Sequence, residues 1–349
     1  MNVDLKALHQ QHDPGDMLGK VTAFPEQMAR AWEIGGEFAS GLAAGDYRHV
    51  IVCGMGGSAI GGDMIRSFFG SRLRAPLVSC RDYVAPGYVG EGSLVIISSY
   101  SGNTGETLSA FDAIRGTGAT VVAVTSGGQV EERCQTDGLP ACKIPGGMPP
   151  RSAIGFSFLP MVQIMRAMGA ADFDDAEYDE AHAAVSERCV TNAIESGDNT
   201  AADLAQALHG KLPLIYAGPG LFEAISRRWA CQFNENSKVL AHFAPFPELN
   251  HNEIVGWEVL EEINKRIVVL SLEDGDDHAM TRRQTEVSLG IIEPLADKVI
   301  RFDGGPGGRL ARMLSTMILG DFASVYLALL NGVDPTPVKK IDYLKSQLK

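Results

Sequence analysis

The chain predicts an α/β protein: a doubly wound parallel sheet that occurs twice. Three observations predict it. Short runs such as HVIVC (49–53), LVII (94–97) and TVVAVT (120–125) are apolar at nearly every position, as strands buried on both faces of a parallel sheet are. Each run leads through a Gly- or Ser-rich turn into a segment of helical period, and this alternation is the signature of βαβ units. The second half then repeats the opening of the first. LPLIYAG (212–218) runs into Gly218-Pro219-Gly220 and a helix, as HVIVCG (49–54) runs into Gly54-Met55-Gly56 and a helix.

In chain order, residues 1–20 read as a loose lead-in and residues 25–41 as an amphipathic helix with Met28, Ala31, Trp32 and Ile34 on its apolar face. Strands follow at 49–54, 76–80, 94–98 and 120–125, with an edge strand at 142–144. Helices are expected after the first turn to about Phe69, over 105–114, and after Ser126-Gly127-Gly128. GGMPPRSAIG (146–155) is a Pro/Gly-rich joint. Beyond it come an apolar helix at 156–168, an acidic linker at 172–179, and helices at about 179–195 and 200–208. Strands at 212–218, 266–272 and 298–302 and a helix from Leu221 to about Phe233 complete the repeat. The long apolar helix at 310–330 is broken by Arg312, Ser315, Gly320 and Asp321, which suits a buried core helix. The expected divisions are a helical lead-in (1–45), a first domain (46–155), a second domain (156–332) and a C-terminal tail (333–349).

In a chain of 349 residues a net charge of −13 argues against nucleic acid or an anionic membrane as partner, so an anionic ligand must be held by local donors. The six cysteines are scattered without a CxxC pair, which suits reduced thiols. The N-terminus shows no signal-peptide apolar region, and the expectation is a cytoplasmic protein. His9 and His12 share a helix face, but no third ligand lies near in the sequence, so no metal site is expected there.

SLVIISSYSGNTGET (93–107) is the organising stretch. A buried strand ends in Ser99, Ser101, Gly102 and Thr104, and a helix starts at Gly105. Hydroxyls, free amides and the positive end of a helix dipole then meet at one spot, which suits a phosphate; the bland alternative is a capped βα turn. The turn at 54–59 formally fits the dinucleotide fingerprint G-x-G-x-x-A, with Asp82 as a poor match for the expected acidic residue. Two polar turns on neighbouring strand ends suit one phosphorylated sugar better, with the Gly57 amide and the Ser58 hydroxyl touching it. The corresponding turn of the second half, Glu273-Asp274-Gly275-Asp276-Asp277, would repel phosphate.

GMGGSAIGGD followed by SSYSGNTGETL resembles the sugar isomerase (SIS) domain. Together with PPRSAIG, QFNENSK, ELNHNEIVGW and the terminal DPTPV…IDYLKSQL, it resembles the bifunctional phosphoglucose/phosphomannose isomerase family from about His49 onward. The resemblance implies two doubly wound, flavodoxin-like SIS domains per chain and a homodimer that builds the active site. It implies interconversion of glucose 6-phosphate or mannose 6-phosphate with fructose 6-phosphate through a cis-enediolate, without metal or organic cofactor.

By the same resemblance Ser99, Ser101 and Thr104 hold phosphate and Gly57 and Ser58 contact the sugar. Glu235 moves the proton between C1 and C2, a task for a carboxylate whose pKa an apolar pocket can raise. His251 opens the ring, from the partner subunit, and Lys345 assists. Arg151 lies near the enediolate and also contacts substrate. Thr336 is a candidate for the tolerance at C2. The alternatives are a solvated Glu235, a loop His251 bonded to Glu248 or Glu253, a surface linker Arg151, a tail Lys345 and a turn Thr336. At the level of the whole chain the alternatives are a sugar-phosphate-binding regulator without catalysis and a dinucleotide enzyme.

Overall fold

The opening residues, expected as a loose lead-in, hold two helices, α1 (Leu5–His12) and α2 (Met17–Thr22), in a computed structural model that describes residues 4–348. Carboxylate caps make them. Asp4 accepts from the Ala7 amide at 3.1 Å, and buried Asp13 accepts from the Met17 and Leu18 amides, each at 2.8 Å. Asp16, at φ 51°, accepts from the Gly19 amide. These caps also bring Asp13 Oδ2 and Asp16 Oδ1 within 3.5 and 3.8 Å of His9 Nε2, groups the reading by helix face did not foresee. Both oxygens of Asp13 already serve the start of α2.

Contacts divide the chain into two compact units, residues 24–182 and residues 1–23 with 183–349. The unit of residues 24–182 begins with α3 (Phe24–Ala39) and continues as β1 (His49–Cys53), α4 (Gly56–Phe69), β2 (Leu77–Cys80), β3 (Ser93–Ser99) and α5 (Gly105–Ile114). It ends with β4 (Thr120–Thr125), α6 (Gly128–Asp137), β5 (Ala141–Lys143), α7 (Ile154–Ala167) and the start of α8 (Asp175–Thr191). Its sheet is parallel throughout, in the order β2-β1-β3-β4-β5. One face packs Ile51, Val95, Ile97 and Ala123 against Phe111 and Val130.

The reading by composition starts the second domain at residue 156, whereas α7 packs on α3 and α4 of this unit. The joint at 146–155 is a pinned turn. Gln27 Nε2 of α3 donates to Ser152 O at 2.9 Å, and its Oε1 accepts from the Gly155 amide at 2.7 Å. Gly35 lets α3 and α7 touch, since a Cβ there would lie 2.8 Å from Pro160 Cα.

The other unit adds α9 (Thr200–Leu208), β6 (Leu212–Ala217), α10 (Glu223–Glu235), β7 (His242–Pro245), α11 (Glu261–Asn264), β8 (Ile267–Leu272), α12 (Ala279–Ile292), β9 (Lys298–Phe302), α13 (Arg309–Leu330) and α14 (Lys339–Gln347). Its parallel sheet runs β7-β6-β8-β9, the same order as β2-β1-β3-β4. The strand β7, HFAP, is too short and too irregular to show in an apolar profile. The helix α13 is long and apolar enough to cross a membrane, yet 94% of its most apolar window is buried against its own unit. Its neighbours there are α1, α2, α9 and α10. Its charge is answered inside the core: Asp321 accepts from Arg228 at 2.6 and 3.1 Å and from Gln232 at 2.8 Å.

Candidate active site

The strand order β2-β1-β3-β4-β5 reverses direction between β1 and β3, and ligands of open α/β sheets bind beyond the carboxyl ends of the strands at such a point. The turns at 54–58 and 99–104 both lie there. After β1, Gly54 has no room for a side chain, because a Cβ would meet Ser98 O at 2.8 Å; Gly56 takes φ 52° and starts α4. Gly57 lies against the joint, its Cβ position 3.1 Å from Pro150 O. Ser58 is buried, and its Oγ accepts from the Tyr100 amide at 3.2 Å, which leaves the hydroxyl proton to donate.

After β3 the turn is braced from below. Gly102 has φ 66°, its amide donates to Ser99 O at 3.1 Å, and its carbonyl accepts from the Val130 amide at 3.0 Å. Asn103 Oδ1 accepts from the Gln129 amide at 3.2 Å. Ser99 is buried and donates to Thr104 Oγ1 at 3.3 Å, while Ser101 is exposed. Thr104 is the N-cap of α5 but makes no side-chain capping bond. The first-turn amides of α5 therefore stay unspent by the cap, as an anion site requires and an ordinary capped turn does not. Arg151, in the 3-10 turn Pro150–Ser152, is buried at 6% exposure, unlike a surface linker arginine. So this unit brings together Gly57, Ser58, Ser99, Ser101, Thr104 and Arg151.

The remaining residues belong to the other unit. Glu235, expected just past a helix, is the last residue of α10 and is half-buried. A cavity of about 680 Å³ opens beside it, lined also by Lys238, Leu240, Asp334, Val338 and Lys339. Lys238, given no role from the sequence, ties this corner together: its ammonium donates to the carbonyls of Glu235 (2.5 Å), Pro335 (3.1 Å) and Pro337 (2.8 Å). Its φ of 58°, which turns the chain back, is invisible in the sequence. Thr336 sits between those two prolines and packs on the lead-in, where a Cβ on Gly15 would lie 2.4 Å from Thr336 Oγ1.

His251 closes a 3-10 turn, is exposed, and its ring has no hydrogen-bond or ion-pair partner among the described residues. The two carboxylates proposed as its partners are engaged elsewhere. Glu253 accepts from Tyr216, and Glu248 accepts from Asn252 at 3.2 Å. Lys345 is exposed on α14, a helix with no buried residue.

At the equivalent reversal of the second sheet, between β6 and β8, the space over the Gly-x-Gly turn is filled from within. A Cβ on Gly218 would fall 1.9 Å from Asp277 Oδ2, and one on Gly220 2.6 Å from Oδ1. Burial, with Asp274 adding to it, pushes the Asp277 carboxyl up to about 6, against the pull of Arg309 and Arg282. The folded chain thus binds this proton more tightly than the unfolded chain. The associated stability is present at low pH and is lost as pH rises through about 6. Asp277→Asn is expected to gain about 1–2 kcal/mol at pH 8, discounted for partial exposure, and little at pH 4. Melting curves of both proteins from pH 4 to 8 check this, and a constant offset between them would contradict it.

An open parallel sheet built twice in one chain, with a hydroxyl-rich turn at the reversal point of the first, is the architecture of a SIS-domain protein. Residues 197–348 match the family described as the bacterial phospho-glucose isomerase C-terminal SIS domain. The bifunctional phosphoglucose/phosphomannose isomerase of Caldicellulosiruptor bescii is 41% identical over 335 residues, which cover 95% of this chain and 98% of that protein. That of Aquifex aeolicus is 34% identical, covering 87% of this chain and 91% of its own. The chain belongs to the bifunctional phosphoglucose/phosphomannose isomerase family. The solved C-terminal domain of glucosamine-fructose-6-phosphate aminotransferase from Francisella tularensis shares the fold, with a TM-score of 0.67 at 15% identity, covering 91% of this chain and 96% of that one.

Proposed function

We propose that the chain is an aldose–ketose isomerase that interconverts glucose 6-phosphate and mannose 6-phosphate with fructose 6-phosphate through a cis-enediolate. The observation that carries this is the uncapped, hydroxyl-lined turn 99–104 at the reversal point of the first sheet, in a chain of this family. Ser99, Ser101, Thr104 and the amides opening α5 hold the 6-phosphate, and Gly57 and Ser58 hold the sugar. His251, assisted by Lys345, moves the proton between the ring oxygen and O1 so that the ring opens. The Glu235 carboxylate takes the proton from C2 of the aldose, and the electron pair moves into a C1–C2 double bond as the carbonyl oxygen becomes an oxyanion. The O2 hydroxyl proton passes to O1, and as the same carboxyl returns its proton to C1 the electron pair on O2 forms the C2 carbonyl of the ketose. Arg151 stabilises the oxyanion, an effect that burial strengthens. These groups suffice for the reaction without a metal or organic cofactor. A regulator that only binds ligand has no use for a proton-transfer set.

The working form in this reading is a cytoplasmic homodimer, with the tail and His251 completing a site across the interface. Two features support a second copy of the chain as the partner. A nine-residue helix without a buried face is not stable alone, and α14 leaves Ile341, Tyr343 and Leu344 exposed. Near His251, Val255, Val259, Leu260 and Ile263 are each more than half exposed.

Assay of the purified chain with each aldose phosphate should yield fructose 6-phosphate from both, and no turnover with either ends this reading. In an equal mixture of Glu235→Gln and His251→Ala chains, exchange of subunits should restore about a quarter of wild-type activity, since one site in four regains both groups. No recovery would instead favour a site within one chain.

A further inference from the structure

We propose that Tyr100 is a positioning residue for the isomerisation step, setting Arg151 through the backbone of the joint. It sits inside the phosphate turn yet is only 8% exposed, and every polar bond it makes joins separate parts of the site. Its amide donates to Ser58 Oγ at 3.2 Å, fixing the sugar-contacting turn. Its carbonyl accepts from the Ser126 amide at 3.0 Å and from Ser126 Oγ at 2.6 Å, fixing the loop that braces Gly102. Its phenol oxygen accepts from the Met148 amide at 3.1 Å, three residues before Arg151. Only this last bond belongs to the side chain; the main chain makes the others whatever residue stands there.

The phenol and Gln27 thus hold the main chain of the joint at its two ends, Tyr100 at the Met148 amide and Gln27 at Ser152 and Gly155, and Gln27 Nε2 also makes a weak side-chain contact with Met148 Sδ at 3.8 Å. Burial keeps the phenol neutral by pushing its pKa up, so it acts as a fixed hydrogen-bonding post and takes no part in proton transfer. Without it the Met148 amide loses its acceptor, the main chain at that end of the joint loses its hydrogen bond and keeps only the weak side-chain contact of Met148 with Gln27, and the guanidinium no longer meets the oxyanion in a fixed place. Misplacement of a charge that acts on the transition state lowers kcat and leaves ground-state phosphate binding alone.

Tyr100→Phe keeps the ring and removes only the oxygen. It should lower kcat about tenfold, the size of one hydrogen bond, while KM and inhibition by inorganic phosphate stay within about twofold of wild type. The decisive reading is the double variant. If Tyr100 acts through Arg151, Tyr100→Phe costs less than about twofold in an Arg151→Ala background. Multiplying losses, a parallel loss of phosphate inhibition, or an unchanged kcat in Tyr100→Phe each overturn the proposal. It rests on the isomerase reading, and the two fail separately: an inactive wild type ends that reading, whereas an active wild type with an unaffected Tyr100→Phe ends only this one.

Discussion

Glu235→Gln is expected to bind hexose 6-phosphate close to normally and to lose about 10³-fold in kcat, the usual size of a missing general base. The substitution is nearly isosteric. Residue 235 is the half-buried last position of α10, and Lys238 holds it by its main-chain carbonyl, which the variant keeps. What changes, in the proposed mechanism, is the ability to carry a proton between C1 and C2. Exchange of the C2 hydrogen with solvent should therefore vanish together with turnover, while competitive inhibition by inorganic phosphate persists. A kcat within a few-fold of wild type, or exchange that continues, would remove Glu235 from the proton path.

Gly102→Ala is expected to destroy the phosphate turn. A Cβ at this position would lie 1.7 Å from Gly127 O and 3.0 Å from Thr125 Oγ1, with φ at 66°. The neighbour is main chain, braced by the bonds from Val130 to Gly102 and from Gln129 to Asn103, so it cannot swing aside. Left-handed backbone alone costs about 1–2 kcal/mol for an alanine, and the displaced loop adds to that. The expected result is a lower melting temperature and a KM raised at least about tenfold with kcat less affected, because in the proposed mechanism the turn binds the phosphate in ground and transition states alike. Gly87→Ala is a control, since a Cβ there meets nothing within 4 Å. Wild-type affinity in Gly102→Ala would mean that the turn does not hold the phosphate.

The parts of this fold that could be read from residue order share one physical property: their signal is local. Strands buried on both faces are apolar at every position, so β1, β3, β4, β6 and β8 are legible, as are the Gly- and Ser-rich turns after them. The helices α5 and α9 coincide with their expected spans. What escaped was specified by single polar contacts. Capping carboxylates at Asp4 and Asp13 make α1 and α2 where hydropathy shows little, and Gln27 turns a Pro/Gly stretch that resembles a linker into a pinned joint.

The candidate site divides along the same line. The hydroxyl-rich turn and its neighbour were legible as turns because each lies within about six consecutive residues. Glu235, His251, Arg151 and Lys345 came from a resemblance, because one carboxylate among many carries no local mark. Lys238 and Tyr100 were given no role, since their importance lies in which distant carbonyls and amides they meet. The order of residues by itself determined that two doubly wound sheets form and that the first ends in a hydroxyl- and glycine-rich turn, because apolar periodicity and turn chemistry act over a few neighbouring residues. Only the tertiary structure decided that α7 belongs with the first sheet, that Arg151 is buried, and that Asp277 fills the second cradle. Each of these depends on which distant groups close packing brings within hydrogen-bonding or van der Waals reach.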